Sequence, residues 1–354
     1  MNVLYSVSLG LLCASLMSGP AQAETGFKDP LDVPALQIRN VESAHFSAVT
    51  AAGSRLIAVG AGGMIAISDD QGTHWTQVQA PASSDLLAVF FPTAQQGWAV
   101  GHDGLVMHSA DGGNTWVKQF DGLQASQQLL AQYSAQAQSG DADAQALLDG
   151  VKLNYQDGPE QALMDVWFAD ALNGFVVGTF GTLFATQDGG KTWTSWMERV
   201  DNPEFLHFLA ISGDGDNLYI ASERGVVFKL DKATQRFVTL QTGYAGTFFA
   251  ISAAHGNVVA AGLRGSVFSS ADQGQSWRSI PSGTATALTG VQALADGRYL
   301  LSSVDGRLLL SDAGLKGFTS VKTQRGGRFT SVAQNGQGSA VTVGYSGVRL
   351  VELN

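Results

Sequence analysis

The chain has 354 residues, 45% hydrophobic and only 14% charged, with a net charge of −10 and 43 glycines. An acidic balance of this kind excludes general nucleic-acid binding, which needs Lys and Arg to neutralise phosphates. The single cysteine, Cys13, lies in an N-terminal leader, so the remaining chain can form no disulfide, thiolate metal site or cysteine nucleophile.

Residues 1–23 contain no charged side chain, hold an apolar run from Val3 to Met17, and end in Ala21-Gln22-Ala23. That is the pattern of a secretory signal cleaved after Ala23. The run is too short to span a bilayer comfortably, and Gly10-Leu11-Leu12 before Cys13 is a poor lipid-attachment box. The mature protein, residues 24–354, is therefore expected in the periplasm (or a lumen, or outside the cell), as a monomer that does not itself span the membrane.

Further along, glycine pairs recur. The second glycine of each falls at Gly63, Gly104, Gly181, Gly225, Gly265, Gly306 and Gly347, in steps of 41, 77, 44, 40, 41 and 41 residues. An independent marker, the Val or Ile of an L/F-x-x-V/I strand, falls at Val49, Val89, Val166, Ile211, Ile251, Val291 and Val332, with matching steps. A period near 40 with several strands per unit indicates propeller blades. In the second unit the strands are "LLAVFF", "GWAVG", "LVMHS" and "TWVKQF". The expected fold is all-β, a seven-bladed β-propeller with a small helical insertion between blades 2 and 3.

The turn between third and fourth strands has the form S/T-x-D-x-G-x-x-W in blades 1, 2, 3 and 5. It places Asp70 with Trp75, Asp111 with Trp116, Asp188 with Trp193, and Asp272 with Trp277. The aspartate accepts backbone N–H bonds across the turn and the tryptophan folds back over the hairpin, which makes a structural lock. Blades 4 and 6 keep only an outline of it, at 230–237 and 311–318, and are read as having lost the aspartate. The pattern resembles the Asp-box, or bacterial neuraminidase repeat, whose boxes lie away from the ligand.

Residues 121–160 form the insertion. Leu129, Leu130, Tyr133 and Ala137 make one helical stripe, and Asp141 is placed to cap a second helix. Six acids against Lys152 give the insertion a net charge of −5. Long loops on rigid scaffolds often carry function. At the far end, "VRLVEL" reads as the third strand of blade 7. The alternating segment "VPALQIRN" (33–40) is expected to supply the missing outer strand and close the ring.

The residue before the marker glycine is Arg224 in blade 4 and Arg264 in blade 5, so two guanidinium groups occupy one repeat position. Arg307, Arg325 and Arg328 belong to the same face, where the turns between second and third strands meet the connections between blades. Arginine forks suit carboxylates and peptide C-termini; the plain alternative is solvated turn charge. Sugar hydrolysis would need two flanking carboxylates, but Asp103, Glu223 and Asp305 belong to blades 2, 4 and 6. The six histidines share no repeat position. No catalytic residue, metal or cofactor is expected.

Val89–Trp116 and Val166–Trp193 follow, nearly position for position, the motif V-x-F-x-x-x-x-x-G-W-A-V-G-x-x-G-x-I-x-x-T/S-x-D-G-G-x-T-W. By this motif the mature chain resembles the photosystem II assembly and stability factor family. The resemblance implies an exported, non-enzymatic propeller that binds a membrane-protein precursor, with an arginine-rich patch on one face. Arg224 and Arg264 are the residues to which it assigns that patch. The partner would be a membrane or exported protein, through a peptide segment or C-terminus. Two alternatives stand beside it: an exported sialidase-like glycan hydrolase, and an envelope scaffold associated with a transport system.

Overall fold

The computed structural model describes residues 28–323, 327–336 and 338–353. The leader with Cys13, and Arg325, lie outside the described residues. Seven antiparallel sheets follow one another in the chain, at 46–78, 86–120, 163–195, 208–241, 248–279, 288–321 and 329–352. Six have four strands and the last has three. The innermost strand of each sheet packs against that of the next, and the seventh, Phe329–Gln334, against the first, Phe46–Ala52. The ring is closed.

Closure differs from the expected route. Residues 33–40 form no strand with blade 7; they run along the outer rim of blade 1. Ala35 donates to the Ala80 carbonyl at 3.1 Å, and the Gln77 and Gln79 side chains donate to the carbonyls of Leu36 and Ala35, each at 2.8 Å. Pro34 has no N–H to give to a ladder. Leu36 is 79% exposed, so the alternation that suggested a strand buries little.

Blades 1 and 7 are instead joined face to face. Trp75 shares a core cluster with Ala333, Val341, Val343 and Val348, and the Thr330 hydroxyl donates to the Phe46 carbonyl at 2.9 Å. Gly347 is central to this joint. Its φ is +90°, and a Cβ there would sit 1.8 Å from the Glu42 carbonyl oxygen. Gly62, at φ +65°, has open space around it. Gly62→Ala should therefore cost only the left-handed backbone penalty, roughly 1–2 kcal/mol, and Gly347→Ala clearly more. Equal melting temperatures for the two variants would show that the Glu42 contact plays no part in closing the ring.

The insertion forms two helices, α1 (Gly122–Gln138) and α2 (Ala142–Asn154). Asp121 and Gln124 build a capping box on α1, and Asp141 caps α2 through the amides of Asp143 and Ala144. Ala125, Leu129 and Tyr133 of α1 and Ala144, Leu148 and Val151 of α2 belong to one core cluster with Trp98, Phe120, Phe168 and Trp193. The hairpin is thus part of the core of blades 2 and 3. The Tyr133 hydroxyl ties it further, 2.8 Å from both Ser195 Oγ and Glu198 Oε2.

At the ring's centre, the Asp165 carboxylate of blade 3 accepts the Ile211 amide of blade 4 and the Val166 amide, each at 2.8 Å. Enclosure of this carboxyl group pushes it up to about 7, against the pull of the two amides. A carboxyl group raised in the fold binds its proton more tightly there than in the unfolded chain. Its contribution to stability is full below about pH 4 and is lost as pH rises through about 7. Carbon-13 titration of Asp165 should give a midpoint near 7, and a midpoint near 4 would contradict the enclosure.

Candidate partner interface

One face of the ring gathers the turns between second and third strands together with the connections between blades. The marker glycines fix this contact: Gly104 donates to the Gln161 carbonyl at 2.7 Å and Gly225 to that of Gly246 at 2.6 Å. In blades 1 to 5 the residue before the marker glycine is itself left-handed, with φ of 65° at Gly62, 58° at Asp103, 54° at Phe180, 55° at Arg224 and 56° at Arg264. Arg224 and Arg264 thus share one backbone conformation and are both exposed. In blades 6 and 7 only the glycine, Gly306 or Gly347, is left-handed.

The arginines are not equivalent electrically. Arg224 is ion-paired with Glu204, which lies in the connection leaving blade 3. Arg307 Nε is 3.1 Å from Asp305 Oδ2. The Arg328 guanidinium stands 6.0 Å over the Tyr345 ring, and that ring stacks on His45 at 4.3 Å. Among the described residues Arg264 has neither a hydrogen bond nor an ion pair. It lines, with Arg307, an open concavity of about 630 Å³ whose wall includes Ser282, Thr284 and Thr286. A free guanidinium above a hydroxyl-lined hollow suits a carboxylate.

Aromatic groups that the repeat pattern did not single out stand on the same face. Phe180 is 38% exposed and meets His207, at the entry to blade 4, edge-on at 4.7 Å. Tyr345 is 55% exposed. Phe180 was detectable in principle, because it fills the repeat position held by Arg224 and Arg264. Arg, Tyr and Phe together are the residue types that dominate interface cores.

The carboxylates considered for hydrolysis are each occupied locally. Asp103 Oδ2 accepts the Ser84 hydroxyl at 2.6 Å, Glu223 Oε2 the His207 amide at 2.9 Å, and Asp305 holds Arg307.

The Asp-boxes occupy the hairpins between third and fourth strands. Asp70 accepts the amides of Thr73 and His74, and Asp111, Asp188 and Asp272 accept those of Thr115, Thr192 and Ser276, all within 3.1 Å. The His74 amide first, then its side chain, holds Asp70 down to about 2; for Asp272 the Ser276 hydroxyl leads, with the same result. Trp75, Trp116 and Trp277 each return the indole N–H to a turn carbonyl at 3.1 Å. Trp193 is 5% exposed, but its indole N–H finds no acceptor among the described residues. Blades 4 and 6 have not lost the aspartate; it sits one place earlier. Asp231 accepts Ala233 N and the Thr234 hydroxyl, and Asp312 accepts Gly314 N and Lys316 N.

A family model described as Photosynthesis system II assembly factor YCF48 matches residues 37–142 and 145–342. The chain belongs to this family. Among its Ycf48 relatives, the Photosystem II assembly lipoprotein Ycf48 of Synechococcus sp. (strain CC9902) is 26% identical over 247 residues, 64% of this chain and 72% of the relative. The chloroplastic Photosystem II stability/assembly factor HCF136 of Guillardia theta is 38% identical over 64 residues, 17% of this chain and 16% of that protein. Two solved structures share the Ycf48 fold. One, of YCF48 bound to D1 peptide, has a TM-score of 0.64 at 14% identity and covers 91% of this chain and 99% of that one. The other, YCF48 from Cyanidioschyzon merolae, has a TM-score of 0.61 at 14% identity, covering 88% and 96%. At that identity the likeness is one of fold.

Proposed function

We propose that this Ycf48-family chain is an exported, non-enzymatic assembly factor that holds a segment of a membrane protein, of the photosystem II type, against its arginine-bearing face. The observation that carries the reading is Arg264, unpaired among the described residues, beside Arg307 over a hydroxyl-lined concavity. Family membership supplies the class of partner, and a related propeller has been captured with a D1 peptide. The separate local engagement of Asp103, Glu223 and Asp305 supports binding over hydrolysis. No helix among the described residues is long and apolar enough to cross a membrane. The working compartment is the periplasm or an equivalent lumen, where the face meets the exported parts of membrane proteins.

Pull-down with the mature chain from detergent-solubilised membranes, read by mass spectrometry, tests this. The expected result is enrichment of a membrane-complex subunit or its precursor, reduced by added salt. Recovery of transport-system components alone would favour the scaffold reading, and release of sugars from membrane glycans would favour an enzyme.

A further inference from the structure

The connection leaving blade 3 does not return directly to blade 4. Val200 forms a parallel bridge with Phe237 of that blade's outer strand, and Asp201 donates to the Phe237 carbonyl at 3.1 Å. Between this detour and α2 lies a groove of about 310 Å³. Its apolar lining includes Met197, Val200, Phe205 and Leu147 of α2. Phe205 is a bulky residue held at φ 52°, a conformation that costs about 1–2 kcal/mol. Its ring lies against α2 at Gly150, where a Cβ would be 3.5 Å from it. Such outliers persist where the surroundings impose them and are enriched at binding sites.

The rim is one-sided in charge. Asp143, Glu198 and Asp201 line the groove with one lining cation, Arg236, whose Nη1 donates to the Glu198 carbonyl at 3.0 Å. Glu198 is also ion-paired with Arg199 at 3.8 Å, so the unpaired charge is that of Asp143 and Asp201. Glu198 is fixed by the Tyr133 hydroxyl. Asp143 and Asp201 are exposed and have no ion pair among the described residues. The insertion adds its own net charge of −5, which repels an anionic membrane surface. A lysine or arginine fits both features, laying its methylene stem on apolar walls and its head among carboxylates.

We infer that the groove between α2 and the 196–207 connection is a second docking sector, which takes a cationic segment of a protein partner with apolar residues flanking its Lys or Arg. It goes beyond the arginine-sector reading and does not depend on it. Glu204, which pairs with Arg224 of the arginine sector, belongs to the same connection.

The probe is the peptide acetyl-Lys-Leu-Lys-Leu-Lys-amide, which has no carboxylate for the arginine sector, titrated into the mature chain by calorimetry. Saturable binding is expected, five- to tenfold weaker for Asp143→Asn/Asp201→Asn. It should be unchanged for Asp149→Asn/Asp157→Asn, a pair on the insertion that does not line the groove. Melting curves check that each variant is folded. The inference is overturned by absence of saturable binding, by equal affinity for acetyl-Glu-Leu-Glu-Leu-Glu-amide, or by equal loss in the two aspartate pairs.

Discussion

Trp116→Ala is expected to destabilise the protein by about 3–5 kcal/mol, the range for removing a large aromatic from a core. Trp116 is 5% exposed, meets Phe91 edge-on at 5.9 Å, and shares a cluster with Ile57, Ile65 and Val78 of blade 1. The substitution removes the cap of one hairpin and part of the packing between two blades at once. It also leaves the Gly113 carbonyl without its indole donor. Urea unfolding should show the loss as a lower midpoint with an unchanged slope. A variant that keeps wild-type stability yet no longer captures its partner would place the Asp-boxes in the interface instead of the frame.

Arg224→Ala/Arg264→Ala is expected to leave stability within about 0.5 kcal/mol, as exposed turn charges do, and to weaken partner capture on the order of tenfold at low salt. The two arginines should contribute unequally. Arg224 already shares its charge with Glu204, whereas Arg264 opens onto the concavity. Arg264→Ala alone should therefore account for most of the loss, and the difference from wild type should shrink as salt screens the contact. Capture by the folded double variant at wild-type strength, in low and moderate salt alike, would remove the arginines from the interface.

The seven-blade ring, the four-strand blades and the capped helical hairpin are legible in the sequence, because each rests on local patterning. Glycine pairs set turn conformation, strand alternation sets burial, and Asp141 sits directly before the second helix, whereas the Asp121 capping box that starts the first was not singled out. The closure was not legible in the same way. Whether 33–40 lies beside blade 7 or blade 1 is a choice between distant partners, and alternating Leu36 and Ile38 fits either. The deciding facts are the missing N–H of Pro34 and the ready amides of Gln77 and Gln79.

The shifted aspartates of blades 4 and 6 escaped a fixed-spacing motif, since in these tighter hairpins Asp231 and Asp312, one position earlier, accept from nearer turn groups, Ala233 N and the Thr234 hydroxyl or Gly314 N and Lys316 N. At the candidate site, the repeat position correctly aligns Arg224 with Arg264. It could not reveal Glu204 as a neutralising partner 20 residues away in sequence, nor the stacking of Tyr345 on His45 across the ring joint.

The most direct test of partner binding on this face is photocrosslinking from inside the concavity. A benzoylphenylalanine at Ala285, which is exposed and lines the hollow shared by Arg264 and Arg307, would be irradiated in solubilised membranes. A second variant would carry the same group at Gln275, in the blade 5 Asp-box hairpin. The account predicts a covalent adduct with a membrane-complex protein from position 285 and none from position 275. An adduct from 275 with nothing from 285 would contradict it.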